Sequence, residues 1–209
     1  MQAFSQGFQQ ELDRLMEWRR DVRRFRTDAV DEPVLDAALG AFLRAPSVGL
    51  SEPWRLVRLD SAASRFAALE NFGAANASAL AGYDGERAKL YATLKLTGMR
   101  EAPVQFAVFC DETTSKGGGL GAATMPEMRR YSVVAAITQF WLTARAHGLG
   151  VGWVSILDPD QLRRDLDVQE NWRLVAYLCV GWPESDDDTP ELEQAGWETR
   201  RRHLPLETR

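Results

Sequence analysis

Five arginines fall within eight residues of the stretch EWRRDVRRFR, residues 17–26: Arg19, Arg20, Arg23, Arg24 and Arg26. One carboxylate, Asp21, is set among them. Arg19 and Arg23 are four apart, so on a helix they share a face and can grip one anion between them. The planar guanidinium fork suits a phosphate. The same residues also read as a solvated helix end, where cations offset the dipole. Asp21 has two readings as well: a base beside the bound anion, or an ion pair that orders the arginines.

Little else in the chain offers chemistry. His147 and His203 match no metal-ligand spacing, and two histidines leave no legible Ser-His-Asp set. No metal is expected. Cys110 and Cys179 lie in apolar runs and read as buried free thiols. GLGVGW (148–153) invites comparison with a dinucleotide loop. That loop follows a strand and opens a helix, whereas this one follows a helix and opens a strand. It reads as a glycine stop and a tight turn. GGGLGAAT (117–124) lacks the Gly-Lys-Ser/Thr of a phosphate loop and reads as a flexible surface loop. The run Asp186 to Asp188 reads as a solvated turn.

The chain is 209 residues long with net charge -5 and 45% hydrophobic residues, which bounds it to one soluble domain or one domain with arms. The acidic balance opposes bulk nucleic-acid binding but permits a local basic pocket. No segment approaches the ~20 apolar residues of a membrane span. The start, MQAFSQGFQQELDRL, lacks the basic opening and apolar run of a secretory signal, so the expected location is cytoplasmic.

Several elements must position these residues. Phe8, Leu12, Leu15 and Met16 form a helical stripe over 5–18. Asp31 and Pro33 start a helix that runs to Pro46. Residues 53–60 predict a strand, and 62–71 and 84–99 predict helices joined by a mobile connection. Residues 101–111 predict a buried strand. Thr124 and Glu127 have capping-box spacing ahead of a long buried helix over 132–148. A strand over 151–157 follows, then a short helix from Asp158 to about Leu166, then a central strand over 172–182. The polar segment from Pro183 onward has few apolar residues of its own, so it is expected to lie on a partner subunit.

This order of features, with APSVGLSEPWR at 45–55 and LVAYLCVGWP at 174–183, resembles the nitroreductase-like flavoproteins along nearly the whole chain. The resemblance implies an α+β fold with a central mixed sheet flanked by helices. It implies a homodimer with FMN at the subunit interface and an exchanged C-terminal arm. Residues 1–182 would form the FMN-binding domain and 183–209 the arm. In that family an Arg-Arg-Ser-x-Arg segment holds the flavin phosphate and ribityl chain. The chain departs from the pattern with Asp21 for the serine, Leu50 for an asparagine and Glu52 for a glutamine.

The longer strings RRDVR, ATMPE-x-RRYSVVAAI and GLGVGWVSILDP are similar to one branch of these flavoproteins, the one that makes 5,6-dimethylbenzimidazole. That resemblance implies reduced FMN and dioxygen as substrates, erythrose 4-phosphate as the second product, and a separate flavin reductase as electron source. It implies Asp21 and Ser155 as catalytic residues. It places Arg19, Arg20, Asp21, Val22, Arg23, Ser47, Leu96 and Ser155 against the flavin, with either 72–100 or 112–123 as a lid. Two rivals stand beside it. An NAD(P)H-dependent nitroreductase or flavin reductase is opposed by Leu50 and Asp21. A nucleic-acid-binding protein using the 19–26 arginines lacks interleaved exposed aromatics.

Overall fold

The structure, a computed structural model, describes residues 3–209. Seven helices are assigned: α1 (Gln6–Trp18), α2 (Glu32–Leu39), α3 (Ala62–Leu80), α4 (Gly85–Thr93), α5 (Met128–Ala146), α6 (Pro159–Asp165) and α7 (Glu191–Gln194). The strands are β1 (Trp54–Arg58), β2 (Val104–Asp111), β3 (Gly150–Val154) and β4 (Trp172–Gly181).

The expected mixed sheet is instead antiparallel throughout, in the order β1-β2-β4-β3. The only parallel pairing among the described residues is an isolated bridge from Asp21 to Val151 on the outer edge of β3. Val22 N donates to Val151 O there. The next edge donor, Trp153 N, takes the Asp21 side chain rather than a backbone carbonyl, and the ladder stops.

One face of the sheet is covered by α5 and α2, with Ile137, Phe140 and Leu35 fully buried. The other face packs against α3, α6 and the segment around Phe25. A buried polar pair crosses the sheet: Tyr177 Oη donates to Gln105 Oε1 at 2.5 Å, and Gln105 Nε2 donates to Met99 O at 2.7 Å. That pair pins the segment leading out of residues 94–97.

Several local expectations are corrected. The 72–85 connection is helical for most of its length, because α3 runs unbroken to Leu80; alanine and asparagine fill it without a proline. The second helix stops at Leu39, and Phe42–Arg44 forms a separate 3-10 turn. The α4 helix ends at Thr93 and the chain is extended at Leu94. The Thr124 capping box does not form. Thr124 Oγ1 donates to Gly121 O at 3.2 Å, and Glu127 takes the N-cap position without a side-chain bond. The glycine loop at 117–121 is docked rather than loose, since a Cβ on Gly117 would overlap the Gly49 carbonyl.

The two cysteines are free and buried. Burial pushes each thiol up to about 12. Both therefore stay protonated in the folded state when an unfolded thiol, near ~8.5, would ionise. Alkylation by iodoacetamide at pH 8 should be negligible in the native protein and rapid in denaturant; prompt native labelling would contradict the burial.

Candidate functional site

Each of the five clustered arginines has a different task. Arg26 pairs with Asp28 on the surface at 2.8 Å. Arg24 pairs with Glu191 at the start of α7, also at 2.8 Å. Arg20 is buried, and its guanidinium donates to the carbonyls of Ser185 and Asp187. Arg23 Nε donates to Asp21 Oδ2 at 2.7 Å while its NH1 donates to Lys95 O at 3.0 Å. Arg19 lies 5.1 Å over the Trp141 ring.

The residues are not on one helix face. α1 ends at Trp18, Arg19 is already extended, and the segment runs along the edge of β3. This removes the shared-face clamp of Arg19 and Arg23. Asp186 to Asp188 are exposed, as expected of a solvated turn, but they are also tethered. Arg145, almost fully buried, pairs with Asp186 at 3.2 Å and stacks 3.3 Å over the Trp18 ring. Trp18 Nε1 donates to Asp186 O at 3.4 Å. The first part of the tail is thus fastened to its own chain.

The approach of residues 21–25 to the sheet depends on glycine. A Cβ on Gly152 would overlap the Val22 carbonyl, and one on Gly150 would lie 2.9 Å from Val22 Cγ2. Gly152→Ala should cost about 1–3 kcal/mol, as for overpacking a filled core, and should displace Asp21 with it. Urea denaturation measures this; a midpoint equal to wild type would show that the edge has room.

Asp21 is one-third exposed and uses both carboxylate oxygens. Oδ1 accepts from Trp153 N at 2.8 Å, and Oδ2 accepts from Arg23 Nε. Each oxygen keeps a second lone pair. Ser155 is two residues beyond Trp153, just past the end of β3, with an exposed side chain. Ser47 lies apart. Its Oγ accepts from Glu52 N at 3.1 Å, and it has no hydrogen bond to the Asp21 group among the described residues.

Three neighbouring cavities lie along this part of the surface, the first of them lined by Asp21. The first, about 320 Å³, is lined by Arg19, Asp21, Leu192, Glu193, Glu198 and Arg200. The second, about 300 Å³, shares Leu192 and adds Arg23, Leu94 and Lys95. The third, about 310 Å³, shares Leu94 and Lys95 and is walled by Leu69, Phe72 and Leu96 on one side and by polar residues, among them Glu70, Arg100 and Glu101, on the other. The Arg19 guanidinium is held below its ordinary range, first by burial and then by the positive charge of Arg200, with Asp21 acting the other way. The ion pairs of the segment start from Arg23, Arg24 and Arg26, and none from Arg19 among the described residues.

The donor set therefore fits FMN end to end. Arg19 and Arg200, neither in an ion pair among the described residues, suit a phosphate, the Asp21 and Arg23 stretch suits a hydroxylated chain, and the Leu69, Phe72 and Leu96 patch suits one side of a ring. Sequence reasoning did not assign Arg200, Lys95 or the Trp153 N–H to the site. The glycines at 150 and 152, alternating in a strand, were the available sign of a close backbone approach. Among the described residues no helix is long and apolar enough to cross a membrane, and no group of three or more His, Cys, Asp or Glu could hold a metal.

Comparison with known proteins gives three results. The family model described as "Nitroreductase family" matches residues 16–182. The chain is 55% identical over 200 residues to a 5,6-dimethylbenzimidazole synthase of Rhodospirillum rubrum, covering 96% of this chain and 95% of that protein. It is 48% identical over 204 residues to the synthase of the same description in Rhodobacter capsulatus, covering 98% and 97%. Among solved structures it is similar to an iodotyrosine deiodinase bound to FMN and 3-iodo-L-tyrosine, with TM-score 0.74, 20% identity, and coverage of 95% and 98%. It is also similar to a BluB-like flavoprotein of Clostridium difficile 630, with TM-score 0.65, 20% identity, and coverage of 83% and 90%. At these identities the structural likenesses speak for the fold alone.

Proposed function

This chain belongs to the nitroreductase family, and from that premise we propose that it converts reduced FMN and dioxygen into 5,6-dimethylbenzimidazole and erythrose 4-phosphate, the remaining four carbons of the flavin's pyrimidine ring leaving as a third fragment. The observation that carries the proposal is the full-length identity of 55% and 48% to two synthases of that description. The departures from the wider pattern, Asp21 and Leu50, point away from a hydride-passing reductase. The arginine cluster is spent on Asp21, the tail and a pocket, so it presents no continuous basic face to nucleic acid.

Reduced FMN supplies the electrons and the carbon skeleton. Arg19 and Arg200 hold its phosphate, with Arg20 acting indirectly through the tail it anchors. Val22, docked against Gly150, fixes the backbone that presents Asp21. Asp21 faces the ribityl chain and accepts a proton released as the carbon–carbon bond breaks. Arg23 orients that carboxylate, and its bond to Lys95 O ties the orientation to the segment bearing Leu96. Leu96 packs against the ring, and Ser155 supplies one hydrogen bond near it.

Ser47 reaches the site from a second copy of the chain. Apolar side chains left uncovered support a homodimer: Phe8, Leu12 and Met16 on α1, and Tyr131 and Val134 on α5, a helix whose opposite side is buried in the core. At the end of the tail, Leu204 and Leu206 are 83% and 79% exposed, which suits an arm that reaches the partner from about residue 201. A separate flavin reductase supplies the reduced flavin. A cytoplasmic location accords with two cysteines that form no disulfide.

The deciding experiment is incubation of the protein with reduced FMN in air, followed by mass spectrometry for dimethylbenzimidazole. Recovery of intact oxidised FMN alone, or repeated NAD(P)H turnover with undamaged flavin, would overturn the assignment.

A further inference from the structure

We propose that residues 190–200 make this site favour a flavin ending in a phosphate monoester over a dinucleotide, and that Trp197 is the positioning residue that fastens this wall in place. The inference rests on the flavin assignment above and goes on to name what selects among flavins.

Most of the wall of the first cavity is tail. Pro190, Leu192, Glu193, Glu198, Thr199 and Arg200 face Arg19, Arg20 and Asp21 across it. A monoester ends between Arg19 and Arg200. A flavin dinucleotide must continue past that point with a second phosphate and an adenosine. Its path leads into the tail, where the Glu193 and Glu198 carboxylates meet an additional negative charge.

The tail is latched at a definite place. The Arg87 guanidinium lies 3.6 Å over the Trp197 ring, and Arg87 NH1 donates to Trp197 O at 3.2 Å. Tyr83 and Tyr91 meet the same ring edge-on, at 5.6 and 6.1 Å between centroids. Trp197 N donates to Leu192 O at 2.8 Å, closing the loop that carries Glu193. Arg87 and Tyr91 belong to α4, whose end leads directly into Leu94, Lys95 and Leu96, the walls of the other two cavities. Trp197 therefore joins the phosphate end of the site to the ring end. A cation over a tryptophan face with edge-on aromatic neighbours is a strong exposed anchor for a short polar segment.

The test titrates oxidised FMN, FAD and riboflavin into the full-length protein and reads flavin fluorescence. Wild type should bind FMN at least about tenfold more tightly than FAD. Trp197→Ala should narrow that ratio by about tenfold, the scale of the cation–π and aromatic interactions that hold the ring. Trp197→Phe, which keeps an aromatic face for Arg87, should retain most of the ratio. Glu193→Gln with Glu198→Gln should raise FAD affinity without weakening FMN, and this pair carries the test should Trp197→Ala fail to fold. Equal binding of FMN and FAD by wild type, or a ratio unmoved in both the alanine and the glutamine variants, overturns the selection proposal. A protein that binds none of the three flavins overturns the flavin assignment itself.

Discussion

Arg19→Ala is expected to weaken FMN binding by about 1.5–3 kcal/mol, the range for hydrogen bonds to a charged group, and to leave riboflavin binding unchanged. That is roughly a ten- to hundredfold loss of affinity. Arg19 faces the first cavity with no ion pair among the described residues, beside the like charge of Arg200, whereas Arg20, which also lines it, is committed to the tail carbonyls. Bound phosphate relieves that repulsion, so removing Arg19 removes an attraction that only the phosphorylated flavin enjoys. Arg23→Ala should behave differently. Its guanidinium is committed to Asp21 and to Lys95 O, so its loss should disturb FMN and riboflavin alike and lower product yield. Isothermal titration with the two flavins separates the cases. Equal losses of FMN and riboflavin in Arg19→Ala would move the phosphate elsewhere.

The contrast between these arginines marks where sequence reading stops. Charge and spacing along residues 17–26 pointed to an anion site and a carboxylate of interest. They could not assign the guanidiniums, because the assignment depends on groups far away in sequence. Arg20 is held by carbonyls some 165 residues later, and Arg24 by Glu191. A helix face was expected for Arg19 and Arg23, but the helix ends at Trp18; the edge of β3 and the glycines at 150 and 152 compete for the chain and win. Strands β2 and β4 were legible because each is mostly apolar, broken by Gln105 in β2 and Arg173 in β4, as suits a strand buried on both faces. The second half of α3, from residue 72, was not, since alanine, asparagine and glycine give no apolar periodicity to separate a helix from a connection. Asp21 and Ser155 entered through likeness to a known branch. Nothing in the local sequence shows that Asp21 caps the edge donor of β3.

That capping role sharpens the expected outcome of Asp21→Asn. Asparagine matches the carboxylate in shape but offers one acceptor oxygen where Asp21 uses two. If the oxygen stays on Trp153 N, the amide nitrogen faces the Arg23 Nε donor and that bond is lost. The cost to stability should be about 1 kcal/mol, the net worth of one hydrogen bond, so the fold and the flavin site should survive. FMN affinity should stay the same or rise, because a negative charge has left the neighbourhood of the phosphate. Proton acceptance is what asparagine cannot supply. Formation of dimethylbenzimidazole should fall by about 10²–10⁴, the range for loss of a general base, while dioxygen still reoxidises the flavin and intact FMN is recovered. Asp21→Ala separates chemistry from capping, since it also leaves Trp153 N without an acceptor and should lose more stability than the asparagine variant. FMN affinity, melting temperature and product per flavin oxidised, measured on both variants, decide the matter. A normal product yield in Asp21→Asn, with weakened FMN binding, would leave Asp21 as a cap and an orienting ion pair and place the base elsewhere in the site.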